Sequence, residues 1–262
     1  MIFRLRLNTE ILNLDPFLIV FRGFSSRKYI DEFLADINEN NLVGQTVLKT
    51  DEDVDKMNTL YTSRQANGTW FAHQAKPGVA KNFRRIKHMI PFINFDSSEY
   101  WQKIFQYSVK MHIPSNPSSL RILSYKPGGH YAPHYDYINY SSTDQWDLWM
   151  KILGNRFATL LLILKTADKG GGTLFPVLNI TIMPSPGDVI LWTNVDSSKN
   201  MEERSLHGAC PIWEGEKIAA TLWIRFKNQD MLESLLDDHK FDLEKLIHPR
   251  PNFLGMTPIY SL

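Results

Sequence analysis

The residues best equipped for chemistry stand in the segment HYAPHYD, residues 130–136, which holds two histidines and an aspartate. Each can offer a lone pair to a metal ion or carry a proton. His130 and His134 have the four-residue spacing of the zinc-protease motif H-E-x-x-H, which requires a continuous helix with glutamate in second place. Here Tyr131 takes that place, and Pro133 would remove a helical hydrogen bond just before His134, so the helical reading fails. Read as a strand, the segment brings His134 and Asp136 to one face, because side chains two apart point the same way; Tyr135 and Tyr137 then point oppositely. His130 falls in the preceding turn with Pro127, Gly128 and Gly129. An H-x-D pair alone arises often by chance and needs a third ligand.

The third candidate is His207 in RSLHGACPIWEGEK, residues 204–217, expected in a loop between two strands. Two neutral imidazoles and one carboxylate on one face of an octahedron leave three positions open, the pattern of non-haem Fe(II) oxygenases. The same set suits zinc, so the ligands alone do not fix the metal. Lys217, ten residues beyond His207, bears on the choice. A lysine buried in a barrel is costly unless an anion meets it, and the far carboxylate of a dicarboxylic cosubstrate would do so. Taken alone, a lysine is by default a solvated surface group. Thr173, after the glycines at 170–172, and Tyr125 are expected to add hydroxyls to the same ligand.

Elements must hold these residues together. Residues 10–22 read as an early strand, and a helix follows with Tyr29, Ile30, Phe33, Leu34 and Ile37 at helical spacing behind Ser25 or Ser26 as N-cap. A second helix is predicted over 97–110 from Tyr100, Trp101, Ile104 and Phe105; both aromatic stripes read as core faces rather than cofactor boxes. From about residue 118 short strands alternate with Gly and Pro turns: LRILSYK, HYAPHYDYI, RFATLLLIL, TLFP, VILWTN and IAATLWIRF, with the turn PSPGD at 184–188. That texture indicates a sandwich or jelly roll. After 228 helical periodicity returns. The expected class is α+β with a mainly β core, a double-stranded β-helix (jelly roll) supported by N-terminal helices. Residues 1–115 form its N-terminal strand and helices, 116–228 the β-helix and 229–262 a helical tail.

Composition sets outer limits. The 262 residues, 43% hydrophobic, suffice for a large buried core, and 29 basic against 28 acidic residues leave a net charge of +1. Nothing in that balance points to nucleic acid or a membrane surface as partner. Cys210 is the single cysteine, so no intramolecular disulfide forms. The apolar stretch near the N-terminus is broken by Asn8, Thr9, Glu10, Asn13 and Asp15, unlike a signal peptide. No run reaches the roughly 20 apolar residues of a membrane helix.

Five ordered blocks, YKPGGHYAPHYDY, NRFATLLLIL, GGGTLFP, PSPGDVILW and SLHGACPIWEGEKIAATLWI, span roughly 125–224. In these the chain resembles the catalytic domain of prolyl 4-hydroxylase α subunits, in the Fe(II)- and 2-oxoglutarate-dependent dioxygenase superfamily. Weaker similarity continues upstream through RQANGTWF. The resemblance implies Fe(II) held by His134, Asp136 and His207, and 2-oxoglutarate gripped at its far carboxylate by Lys217 with Tyr125 and Thr173 assisting. It implies oxidative decarboxylation to succinate with hydroxylation of a peptidyl proline at C4, L-ascorbate keeping the iron reduced. Tyr131, Arg156 and Trp223 match positions that line the peptide groove; taken singly they read as a turn cap, a structural ion pair and plain core. Trp192 reads as core. Arg225, eighteen beyond His207, is a rival carboxylate partner that matches the family pattern less well than Lys217.

Two departures are small: Ile218 where an aromatic residue often follows the lysine, and HGAC where HAGC or HAAC is usual. The N-terminal dimerisation region, the peptide-binding domain and the cysteine pairs of collagen-type subunits are not found. The segment FDSSEYWQKIFQYSVKMHIPSNPSS is longer than usual and stands where it would reshape the groove. The expected substrate is a proline-containing, collagen-like peptide, with O2 as co-substrate. Hypoxia-factor hydroxylases fit less well because they pair 2-oxoglutarate with arginine. Protein disulfide isomerase as partner and the endoplasmic reticulum lumen as compartment follow from the resemblance alone; the missing signal peptide leaves the cytoplasm open. The alternatives are the same chemistry on another amino acid or small molecule, and a non-catalytic peptide-binding paralogue, against which the intact ligands and lysine speak.

Overall fold

The computed structural model describes residues 7–37, 43–44, 64–99, 120–232 and 241–242. In chain order its elements are β1 (Asn8–Leu14), β2 (Phe17–Arg22), α1 (Arg27–Asp36), β3 (Val43–Gly44), β4 (Arg64–Gln65), β5 (Asn67–Phe71) and α2 (Pro77–Met89). There follow β6 (Leu120–Tyr125), β7 (His130–His134), α3 (Leu148–Leu153), β8 (Arg156–Lys165), β9 (Lys169–Gly170), β10 (Thr173–Phe175) and β11 (Ile180–Ile182). The last strands are β12 (Val189–Thr193), β13 (His207–Ala209), β14 (Ile212–Glu214) and β15 (Lys217–Arg225).

The strands form an eight-stranded sheet in the order β1-β2-β12-β8-β15-β6-β5-β3, a five-stranded sheet β11-β10-β13-β7-β4, and a small pair β14-β9. From β6 to β8 the chain steps from large sheet to small and back, and β12, β13 and β15 repeat the move. This alternation of two antiparallel sheets is the expected jelly roll. Residue parity divides the large sheet into two faces. Even positions of β15 and β8, including Ala220, Leu222, Ile224, Leu160 and Leu162, join the main core with Ile30 and Phe33 of α1 and Val79, Phe83 and Ile86 of α2. Odd positions face the smaller sheet and build the pocket described below.

The predicted strand over 10–22 is instead a hairpin, β1 paired antiparallel to β2, because Asp15–Pro16, joined by a cis peptide bond, interrupts it. The predicted first helix is present as α1, capped at Ser26 by backbone only, with Ile30 and Phe33 buried. Tyr29 lies under the Lys81 ammonium rather than in the core. No helix was expected over 77–89, yet α2 carries Pro77 at its start and Val79, Phe83 and Ile86 along one side. Gly78 lets α2 cross α1 closely, since a Cβ there would collide with the Glu32 carbonyl. The helix predicted over 97–110 lies outside the described residues except for 97–99, and the helical tail beyond 232 lies outside them but for residues 241–242. Among the described residues no helix is long and apolar enough to cross a membrane.

Candidate active site

His134 ends β7 and His207 begins β13, and these strands pair with the two histidines directly opposite. Asp136 lies two residues past the end of β7 rather than within a strand, and His207 starts a strand rather than sitting in a loop. Convergence therefore comes from cross-strand register, with Asp136 turning back over the pair. Nε2 of His134 is 3.8 Å from Asp136 Oδ1, and Nε2 of His207 is 3.5 Å from Oδ2. One ligand atom from each of the three lies within 4.8 Å of the other two, the sole such grouping of three among the described residues. His130 opens β7 with Nδ1 near the Gly128 carbonyl, away from this group.

Second contacts orient the donors. Nδ1 of His134 lies 2.9 Å from the Ala132 carbonyl and Nδ1 of His207 2.9 Å from the Ser205 carbonyl. A carbonyl only accepts, so each Nδ1 carries a proton, which leaves Nε2, the atom turned toward Asp136, as the ring nitrogen open to a metal. Tyr131 stacks on His134 with ring centroids 3.5 Å apart, while Trp192 and Phe175 pack on His207. Burial alone would raise the Asp136 carboxyl; facing charge on His207, His134 and Arg156, with the Thr159 hydroxyl, more than offsets it and brings it down to about 2. A carboxylate ionised at any working pH and two imidazoles with Nε2 turned inward suit a divalent cation, which takes the place of the imidazole protons.

Lys217, first residue of β15, stands opposite Tyr125 of β6. It is 2% exposed, and its ammonium donates to the Gly171 carbonyl at 2.7 Å and to Thr173 Oγ1 at 3.3 Å. Burial lowers it to about 8, partly opposed by Cys210. Among the described residues no carboxylate meets it, so the buried cation is matched only by neutral oxygens. The surface-lysine reading is thereby excluded. An open-mouthed pocket runs between this ammonium and the His–Asp–His group, walled by Tyr125, Tyr131, Leu161, Thr173, Trp192 and Trp223 among others.

The expected groove residues divide. Tyr131 and Trp223 line the pocket. Arg156 stands behind Trp223 with its guanidinium 3.6 Å from the ring and its Nε donating to Glu99 Oε1 at 2.8 Å. Arg225 is fully buried and bonds the same carboxylate oxygen at 2.6 Å, so its charge is already matched and it does not face the pocket as a rival to Lys217. Burial would raise Glu99, but the two arginines hold it below the usual carboxylate range. Glu99, Thr159 and Asn194 were not found from the sequence: each is a single polar residue in an apolar or helix-like context, with partners distant along the chain.

Two imidazoles and one carboxylate gathered at one point inside a jelly roll correspond to the mononuclear non-haem oxygenases, a class the fold and the donor set define together. Residues 120–225 match the family model described as the 2OG-Fe(II) oxygenase superfamily. Among curated proteins, the probable prolyl 4-hydroxylase 3 of Arabidopsis thaliana is 26% identical over 235 residues, covering 82% of this chain and 71% of that one. Prolyl 4-hydroxylase subunit alpha-2 of Caenorhabditis elegans is 25% identical over 224 residues, covering 86% of this chain but only 37% of that protein. The crystal structure of a viral collagen prolyl hydroxylase from Paramecium bursaria Chlorella virus-1, in its 2OG complex, aligns with TM-score 0.55 and 23% identity over 79% of this chain and 95% of the other, a likeness of fold. Residues 120–225 thus carry the match to the 2OG-Fe(II) oxygenase superfamily, and the chain is prolyl 4-hydroxylase-like in sequence.

Proposed function

We propose that this protein hydroxylates C4 of proline in a peptide chain of collagen-like type, one atom of O2 going to the proline and the other to 2-oxoglutarate, which leaves as succinate and carbon dioxide. The observation that carries the reading is Lys217, a buried cation that meets no carboxylate among the described residues, at one end of a pocket whose other end holds His134, Asp136 and His207. A dicarboxylate spanning the two would neutralise the ammonium and place its 2-oxo acid end beside the three ligands.

In this reading His134, Asp136 and His207 hold Fe(II), which when bound supplies the redox chemistry of oxygen activation. The protein supplies position and shelter. The Ala132 and Ser205 carbonyls keep both imidazoles in the tautomer that offers Nε2. Gly171 and Thr173 fix the Lys217 ammonium, and Tyr125 opposite it adds a hydroxyl toward the same carboxylate. Leu161, Phe175 and Trp192 form an apolar wall that keeps water from the reacting centre. Tyr131 and Trp223, the latter backed by Arg156, form the aromatic side on which a prolyl ring would rest. L-ascorbate, a protein disulfide isomerase partner and an endoplasmic reticulum address belong to the same proposal through the family resemblance alone.

The test is anaerobic addition of Fe(II) and 2-oxoglutarate, watched for the weak visible charge-transfer band of the chelate. Aerobic incubation with ascorbate and proline-rich peptides follows, reading succinate and a +16 Da product. The chelate band with peptide-stimulated succinate supports the proposal. A band without stimulation by any prolyl peptide would move the acceptor to another amino acid or a small molecule, and absence of the band would refute the site.

A further inference from the structure

Asp136 is held by a buried hydrogen-bond chain that a three-ligand site does not by itself require. Thr159, on β8, places Oγ1 2.7 Å from Asp136 Oδ2, and Asn194, just past β12, places Nδ2 2.9 Å from Thr159 Oγ1. Both residues are completely shielded from solvent. The direction of the chain is forced. A carboxylate only accepts and a hydroxyl has one proton, so Thr159 donates to Asp136 and its oxygen receives the Asn194 amide.

Sheet register builds this chain. Trp192 of β12 stands opposite Thr159, and Asn194, two residues on, returns to the same face. The Asn194 backbone is itself fixed: its N–H donates to the Phe157 carbonyl at 2.8 Å, and its carbonyl accepts from the Glu202 N–H at 3.0 Å. A rigid amide thus sets one hydroxyl, and that hydroxyl occupies one carboxylate oxygen.

We propose that Thr159 and Asn194 are positioning residues that hold Asp136 as a one-oxygen metal ligand. This inference rests on the metal-site reading above and goes beyond it. A carboxylate free to rotate can chelate through both oxygens and fill a coordination position that cosubstrate or oxygen needs. The Thr159 hydroxyl fixes the carboxylate plane and engages Oδ2, which disfavours two-point chelation and keeps the site open. Asn194 matters because a donor behind Thr159 leaves its proton nowhere to go but Asp136.

The test uses the whole protein and Co(II) alone as probe, following the visible d–d absorption during titration, with thermal midpoints of the metal-free proteins recorded alongside. The parent should bind Co(II), and Asp136→Ala should not. Thr159→Val should bind it about 10- to 100-fold more weakly and with an altered band shape, whereas Thr159→Ser should regain the parental spectrum. Asn194→Asp offers the Thr159 proton a second anionic acceptor and should reproduce the Thr159→Val spectrum; it decides the matter if Thr159→Val does not fold. A merely structural role would lower the midpoint and leave affinity and spectrum of the folded protein unchanged, which overturns the proposal. If the parent and Asp136→Ala bind Co(II) alike, the metal-site reading itself fails and the positioning role falls with it.

Discussion

Replacing Lys217 by methionine removes a buried charge while keeping a long apolar stem, and pH separates the charge from everything else the substitution changes. Burial lowers the ammonium from 10.5 to about 8. At about 1.4 kcal/mol for each tenfold change in proton affinity, this amounts to about 3 kcal/mol by which burial opposes the charged form. Below pH 8 folded and unfolded chains both carry the proton, and the folded state bears that penalty in full. Between about 8 and 10.5 the folded protein has released the proton and the unfolded chain still holds it, so stability rises with pH. Above 10.5 neither holds it. The stability of the parent minus that of Lys217→Met should therefore climb by about 1.4 kcal/mol per pH unit through this window. Loss of the hydrogen bonds to Gly171 and Thr173 shifts the whole difference but not its slope. Urea unfolding of both proteins at pH 7, 8, 9 and 10 measures it. With Mn(II) and 2-oxoglutarate bound, the ligand carboxylate should keep the ammonium charged and flatten the slope. A difference independent of pH, or one untouched by the ligand, would refute the view of Lys217 as a buried cation awaiting an anion.

Further outcomes can be checked separately. Glu99→Gln leaves Arg225 buried beside a weaker partner and should cost about 3–5 kcal/mol in chemical denaturation. Because the arginines hold the Glu99 carboxyl below its ordinary 4.5, the parent should keep this contribution at neutral pH and lose it only as pH falls through the lowered value. Gly171→Ala combines a backbone φ of +74° with a Cβ 2.8 Å from Ile212 Cδ1. It should lower stability by about 1–3 kcal/mol and weaken 2-oxoglutarate binding, read by urea unfolding and by calorimetry. Arg156→Lys loses the planar stack on Trp223 and should raise the KM for peptide while peptide-independent 2-oxoglutarate turnover stays unchanged; equal changes in both would argue for a purely structural arginine. Chelation of metal by EDTA should abolish turnover, and Fe(II) should restore it.

What the sequence revealed and concealed follows from how each contact is encoded. His134, Asp136, His207 and Lys217 were legible because residue type limits their chemistry, and strand alternation put the first two together. The geometry that unites them was less visible: His134 meets His207 through β7–β13 register, and Asp136 turns in after the strand has ended. Helix α2 was hidden because Lys81, Arg84, Arg85 and Lys87 dilute the apolar positions Val79, Phe83 and Ile86, and because Pro77 reads as a breaker unless it begins a helix. Thr159 looked like one polar residue within RFATLLLIL. Its partners lie 23 residues before it and 35 after, and only strand pairing brings them into contact. Arg225 reads as a rival carboxylate partner from its spacing after His207, since nothing local announces that Glu99 lies against it.

The pairing of β2 with β12 bears on any attempt to trim this protein. Four residue pairs, Val189–Phe21 through Trp192–Leu18, join the two strands, and Leu18 and Val20 pack with Trp192 and Phe175 behind His207. A fragment cut to residues 120–225 would strip this flank, leaving unsatisfied amides and bare aliphatic side chains along β12. Expression of that minimal piece should yield sticky, self-associating material, whereas fragments retaining the opening hairpin start with their sheet margin sealed.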